Sequence, residues 1–345
     1  MSVELGRGYV SDGLVELMAR EHLGRREVSP DAKLGVLLCY PTEANCSYGL
    51  QNLHYGGKLT DPANADDLPP VELYIPTESG FELVRKPQEL RDAKERGLYR
   101  PAEPEDTTQG DTLEALAHDR SIIEKIKELN ERPDIRSILA VVRSATGQGD
   151  AEIRRTIDPL KDVDGISPNR MISPATPESK VRLAEHILGH PISELDPSTI
   201  GIIGNGPLVG GPLVKEVLPA RGVDIEKLGL AFGTRQEIEE GVPRLAEYDQ
   251  LRVIFTAVPV GALLRPEHIH DNTIVIDAGY GINPENGKPC GNASPELLAL
   301  SGLRGIVVTA FRGGVGPVTA AVVYDRTIPR HEDAVSERKL TGMAA

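Results

Sequence analysis

The spacing of hydrophobic positions changes along the chain, and the changes predict its elements. After Ser11 and Asp12, SDGLVELMAREHL places apolar residues at helical spacing behind a capping side chain. LGVLLCY, from Leu34 to Tyr40, is a continuous apolar run of strand length, which suits a sheet covered on both faces. The pattern breaks from about 59 to 105, where DPANADDLPP, a short ELYI run, KPQELRDAKERG and PAEPED read as an elaborate surface insertion. Periodicity returns in DTLEALAHDRSIIEKIKELNE, one or two helices, and then in the strand-like SILAVV from Ser137 to Val142.

A second helix-to-strand series starts at PESKVRLAEHIL, a helix with Pro177 near its start, and STIGIIGNG is a strand that runs into a glycine-rich turn. A helix through LVKEVLPARG, the strand LGLAF, a turn or helix at QEIEE, and the strands RVIFTAV, TIVIDAG and GIVVTAF follow at the spacing of a mostly parallel open sheet. VGPVTAAVVYDRTI reads as a closing helix and HEDAVSERKLTGMAA as a polar tail. A length of 345 residues fits two domains.

Composition narrows the partners. Lys and Arg number 38 against 52 Asp and Glu, a formal charge of -14, so nothing draws the chain to nucleic acid or to an anionic membrane. Cys39, Cys46 and Cys290 cannot all pair and have no metal-ligand spacing, and the N-terminus lacks the apolar core of a leader, so the expected setting is the cytoplasm. The 35 glycines and 27 prolines exceed the average content and call for local explanations.

The sharpest of these is Gly204-Asn205-Gly206-Pro207-Leu208-Val209-Gly210, a GxGxxxG turn between a strand and a helix. Gly204 and Gly206 let backbone amides approach a pyrophosphate, and Gly210 lets the helix pack on the sheet; a tight turn without ligand fits the same residues. One strand later, Gly233, Thr234 and Arg235 stand where a cofactor ribose is read, and Arg235 slightly favours NADP over NAD, although a solvated surface arginine is equally compatible. Ala257, Val258 and Pro259 after one strand, and Gly279 after the next, face the crevice where open sheets take ligands. Gly313, Gly314, Pro317 and Thr319 form a second flexible turn, for a flat ligand or simply a loop. Asp162, Asp164 and Gly165 make an acidic turn that suits an aminopyrimidine, a hard metal ion or only its own backbone.

DPLKDVDGISP, PATPES, GIIGNGPLVGGP, IVIDAGYG and GGVGPVTAA stand in the order found in the methylenetetrahydrofolate dehydrogenase/cyclohydrolase family, which the chain resembles from about Asp31 to Arg330. The resemblance implies a two-domain, three-layer α/β architecture. An N-terminal folate domain, 1–172, would carry the 59–105 insertion and be completed by a C-terminal helix at about 316–335, beside a Rossmann-like NAD(P)-binding domain at 173–315. It implies a homodimer and hydride transfer from 5,10-methylenetetrahydrofolate to NADP or NAD, with no metal. Gly204 to Gly210, with Thr234, Arg235, Ala257, Val258, Pro259 and Gly279, would hold the cofactor. Asp164 would anchor the pterin, and Arg312, Gly313, Gly314, Pro317 and Thr319 would line the folate site.

The chain departs from the family where the methenyl product is hydrolysed. ANCSYGLQN keeps the family's Tyr as Tyr48, but Asn52 stands in place of its Lys and Val141 in place of its Gln, while Arg312 replaces a proline. Asn cannot supply the positive charge or proton transfer of Lys, so cyclohydrolase activity is in doubt. Lys58, behind Tyr55-Gly56-Gly57, is a substitute amine, with a plain surface Lys as the simpler reading; Arg143 is an alternative cation, and His54 has no visible partner. An oxidoreductase for a different pterin or one-carbon carrier, and a noncatalytic folate- or dinucleotide-binding regulator, are the alternative readings.

Overall fold

The structure is a computed structural model that describes residues 33–38, 71–77, 80–85, 87–97, 113–141, 150–311 and 313–327. Contacts divide the described residues into two compact units, one of 173–319 and one of the residues up to 172 with 320–327.

The first unit in chain order is built on a four-stranded sheet of β1 (Lys33–Leu38), β2 (Val71–Thr77), β3 (Gly80–Val84) and β4 (Ile135–Val141), ordered β3-β2-β1-β4. β1 pairs parallel with β2 and β4, and β3 returns antiparallel beside β2. The apolar run read from Leu34 is buried through Leu38, as a strand covered on both faces requires. The helix Leu113–Glu131 packs Ile122, Ile126 and Leu129 into a core shared with Leu37, Tyr74 and Ile138. β4 starts two residues before the expected Ser137.

The expected surface character of the 59–105 segment is corrected over its described residues, 71–77, 80–85 and 87–97. Val71 to Ile75, which include the ELYI run, are buried as β2, and β3 and the helix Pro87–Glu95 follow it. Acid-rich and proline-rich flanks obscured a strand that alternation could not reveal, because β2 is covered on both sides and carries a polar residue, Glu72, inside.

The second unit holds a five-stranded parallel sheet of β5 (Ile200–Ile203), β6 (Leu230–Phe232), β7 (Val253–Thr256) and β8 (Ile274–Asp277), with a small hairpin of β9 (Gly281–Ile282) and β10 (Pro289–Cys290) preceding the edge strand β11 (Val307–Val308). The order is β11-β8-β7-β5-β6. β5, β7 and β8 are buried at every position. The helix Ala175–Leu188 packs against β8 and ends on Gly189, whose φ of 77° forms a left-handed cap with its amide on Glu185 O. A helical run over 210–220 follows β5, QEIEE lies in the helix Arg235–Gly241, and a helix over 315–327 follows β11. The unit is therefore a mixed α/β, Rossmann-like domain. Among the described residues, no helix is long and apolar enough to cross a membrane.

Candidate functional site

In the second sheet the chain leaves β5 toward β6 on one side and continues to β7 on the other, so the strand order reverses at the β5/β7 pair. Open α/β sheets take ligands outside the carboxyl ends of their strands at such a switch point. Both strands end in segments singled out from the sequence. Gly204 follows β5 with φ 106°, and its amide donates to Phe232 O at 2.7 Å. A Cβ there would lie 2.7 Å from Ala257 O and 2.8 Å from Val258 Cγ1, so only glycine lets the two strand exits touch. Gly210 is equally constrained, since a Cβ would collide with the Gly204 carbonyl. Gly206 differs: it is exposed with Asn205 and Pro207, and a Cβ there would meet nothing within 4 Å. Two glycines therefore allow internal packing, and the one between them opens outward.

Leu208 and Val209 are half-buried, and Leu213 N donates to Val209 O at 3.0 Å as the helix begins. Leu213–Val217 is a π-type turn, a local widening common near functional sites. Beyond β6, Thr234 caps the helix Arg235–Gly241: its hydroxyl accepts Glu237 N at 3.2 Å, while Glu237 Oε2 accepts the amides of Thr234 and Gly233, each at 2.8 Å. Those bonds, Thr234's first, hold the Glu237 carboxyl below its usual range. Arg235 is 92% exposed and its Nε donates to Glu239 Oε1 at 2.6 Å.

Behind the exits of β7 and β8 lies a buried polar network that sequence reasoning missed. Lys180 Nζ donates to Thr256 O at 3.0 Å, and Ala278 N donates to the same carbonyl at 2.9 Å. Thr256 Oγ1 donates to Asn292 Oδ1 at 2.6 Å, and that oxygen also accepts Val258 N at 3.1 Å. Asn292 Nδ2 donates to Val258 O at 2.8 Å and to Val260 O at 2.6 Å. Asp277 accepts Gly279 N at 2.7 Å and Ala293 N at 2.9 Å. A Cβ on Gly279 would run into the Asn292 side chain. Burial pushes Lys180 down to about 7 against the pull of Asp277, and burial raises the Asp277 carboxyl despite its amide donors. One signal was available: Lys180 falls on the face that Pro177, Val181 and Ala184 bury, where helical spacing puts no ordinary lysine.

In the other unit, β1 and β4 form the corresponding reversal, and half-buried Val141 ends β4 opposite Leu38. The acidic turn after it divides its labour. Asp162 is buried and accepts Gly165 N and Ser167 N, both at 2.8 Å, while Gly165 takes φ 70°. Asp164 is half-buried; desolvation and the charge of Asp162 push its carboxyl up to about 7, with Arg326 opposing. Among the described residues there is no group of three metal-type side chains.

After β11, Gly313 adopts φ 84° with open space where a Cβ would stand, and a Cβ on Gly314 would strike Ala310 O. Pro317 and Thr319 are buried, and the Thr319 hydroxyl donates to Val315 O at 3.1 Å within the helix over 315–327. Tyr48, Asn52, Lys58, Arg143 and Arg312 lie outside the described residues, as do His54, the expected first helix and the polar tail.

Comparison with known proteins bears on both units. Residues 174–335 match the family model for the tetrahydrofolate dehydrogenase/cyclohydrolase NAD(P)-binding domain. The bifunctional protein FolD of Deinococcus radiodurans is 29% identical over 228 residues, covering 63% of this chain and 69% of that protein. FolD of Thermus thermophilus is 27% identical over 219 residues, covering 61% and 71%. Among solved structures, a 5,10-methylenetetrahydrofolate dehydrogenase from the silkworm Bombyx mori shares the fold with a TM-score of 0.59 at 14% identity, covering 97% of this chain and 100% of that one. The bifunctional dehydrogenase/cyclohydrolase of Thermoplasma acidophilum gives 0.59 at 19% identity, covering 94% and 96%. Sequence similarity and fold together point to the tetrahydrofolate dehydrogenase/cyclohydrolase (FolD) family.

Proposed function

We propose that this chain oxidises 5,10-methylenetetrahydrofolate to 5,10-methenyltetrahydrofolate with NAD(P)+ as hydride acceptor. The observation that carries the reading is the Gly204 turn packed on Ala257 and Val258 at the switch point, inside the segment that matches the NAD(P)-binding family model. The residues fit a dinucleotide: a bulky side chain is excluded at Gly204 and Gly210 by protein, whereas the space beside Gly206 is open. When bound, the nicotinamide accepts the hydride; the chain contributes orientation and an electrostatic setting for the cationic product. Gly204 to Gly210 hold the pyrophosphate, Thr234 and Arg235 face the adenosine ribose, and Ala257, Val258, Pro259 and Gly279 border the nicotinamide.

Asp164 anchors the pterin in this reading. A carboxyl that titrates at about 7 both accepts and donates hydrogen bonds near neutrality, which suits an aminopyrimidine edge. Tyr48, Lys58, Asn52, Val141, Arg312, Gly313, Gly314, Pro317 and Thr319 are assigned to the folate side, and Tyr48, Lys58 and Asp164 are the candidate catalytic groups. Asn52 and Val141 argue for weak or absent hydrolysis of the methenyl product. Arg235 favours NADP; NAD is the second reading, because Glu237 and Glu239 place two carboxylates at the same corner. A cytoplasmic homodimer is the proposed setting.

The test is turnover by the purified protein. With methylenetetrahydrofolate and NAD+ or NADP+, the reduced cofactor and the methenyl absorbance should rise together, and methenyltetrahydrofolate should decay no faster than in buffer. Tight dinucleotide binding with no turnover would support a regulator instead, and turnover only of another reduced pterin would move the substrate.

A further inference from the structure

A buried lysine needs a reason. Lys180 is 1% exposed, and desolvating an ammonium costs several kcal/mol unless it is paired. Among the described residues its hydrogen bond goes to a neutral carbonyl, Thr256 O, and Asp277 acts on it only through its charge. Its Nζ lies over the Phe255 ring, 5.7 Å from the ring centre. A residue kept for packing alone would be better served by Met or Leu at this position, as Val181 and Leu183 show on the same helix.

What the lysine holds is the last residue of β7. Thr256 is fully buried and connects three elements: Lys180 from the helix Ala175–Leu188, Ala278 from the exit of β8, and Asn292 from the segment after β10. Asn292, also fully buried, uses both lone-pair directions of Oδ1 and both hydrogens of Nδ2, and three of those four bonds go to Val258 or Val260. The continuous path Lys180–Thr256–Asn292 therefore ends on the backbone of the very segment, 257–260, that meets the Gly204 turn. Gly279 completes it by leaving room for Asn292. The backbone of 257–260 forms no regular element, so these side chains supply the restraint that a helix or ladder would otherwise give.

We propose that Lys180 and Asn292 are positioning residues for the dinucleotide site, locking the segment 257–260 in the conformation that receives the nicotinamide half of the cofactor. The inference rests on the reading of 257–260 as a cofactor contact. Their effect is preorganisation: the wild-type segment is already ordered, so binding costs less conformational entropy than it would for a loosened one.

Three variants test this in the full-length protein: Lys180→Met, which keeps length and burial, Thr256→Val, which removes the bond to Asn292, and Thr256→Ser, which restores it. Dinucleotide affinity by calorimetry, KM for each substrate and melting temperature are measured together. Lys180→Met should melt at or above the wild-type temperature yet bind the dinucleotide about tenfold more weakly, a change of about 1.4 kcal/mol. The KM for the folate should move less than about twofold, since only cofactor binding is affected. Thr256→Val should shift in the same direction and Thr256→Ser should recover most of the loss. Wild-type affinity in Lys180→Met overturns the proposal, as does an equal rise in both KM values with a fall in melting temperature, which marks general structural damage. A wild-type protein that binds neither NAD+ nor NADP+ overturns the functional reading itself, so the two failures are separated by the wild-type titration.

Discussion

Each of the two units buries an ionisable side chain against its sheet, and the two are treated in opposite ways. In the first, Glu72 on β2 is 1% exposed, and its carboxylate meets Lys33 Nζ and Arg132 Nη1, each at 2.9 Å, and the Tyr74 hydroxyl at 2.5 Å. Burial alone would raise this carboxyl, but the hydrogen bonds from Tyr74, Lys33 and Arg132 outweigh it and hold the group at about 2. Lys33 and Arg132 also bind Asp134, so the cluster is a closed network of alternating charge. Against the second sheet, Lys180 on the helix Ala175–Leu188 has a carbonyl and a ring, among the described residues no directly paired carboxylate, and falls to about 7. With Arg85 Nη2 as a fourth donor, to Glu72 Oε1 at 3.4 Å, the Glu72 carboxylate keeps its charge because both its oxygens are met by two donors each; the lysine is close to losing its own. Full compensation marks a group that supports the fold, and incomplete compensation marks one retained for another purpose.

Removing Glu72 should break the comparison most visibly. Glu72→Gln leaves three cations, Lys33, Arg85 and Arg132, without their buried partner and should destabilise the unit by about 3–5 kcal/mol in urea unfolding. Because this carboxyl is depressed from 4.5 to about 2, its contribution is complete above pH 4.5 and disappears as the pH falls toward 2, so the variant should also lose the acid limb of the stability profile.

Lys180→Met should have the opposite sign. Replacing an uncompensated buried cation with a thioether should leave stability unchanged or raise it by about 1–4 kcal/mol near neutrality. The pH dependence sharpens the point. Lys180 titrates at about 7 when folded and at 10.5 as the reference value, so between these limits the unfolded chain holds more protons. Wild-type stability should therefore rise with pH across that window, by up to about 1.4 kcal/mol per pH unit from this group, and the rise should vanish in Lys180→Met. A wild-type profile that is flat there would mean the ammonium has a partner that the geometry lacks.

An exposed carboxylate gives the smallest effect. Glu237 accepts two amides at the start of the helix Arg235–Gly241 in a capping box completed by Thr234. Thr234→Ala should cost about 1 kcal/mol in thermal unfolding, with dinucleotide binding the more sensitive readout if this corner holds the ribose.

Most of the second sheet was legible in the sequence because parallel strands covered on both faces read as unbroken apolar runs. β5, β7 and β8 stand where STIGIIGNG, RVIFTAV and TIVIDAG placed them. β2 was not legible, since one buried acid and proline-rich flanks imitate a surface segment; its strand character depends on β1 and β3 lying beside it. The Gly204 turn was visible as a motif, and its three glycines were separable only once Gly204 and Gly210 were seen against protein and Gly206 against open space. Lys180 and Asn292 carried almost no signal, because their partners are 76 and 32 to 36 residues away.

The sequence by itself determined the α/β class, the strand-to-glycine-turn unit and the resemblance in motif order, since each depends on local periodicity or on the conformational freedom of single residues. Only the tertiary structure decided the strand order, and with it the switch point where Gly204 meets Ala257. It also decided which charges are buried, and with what partners. Both are consequences of contacts between distant segments, and the energy of a buried charge is set by those contacts rather than by the residue type that bears it.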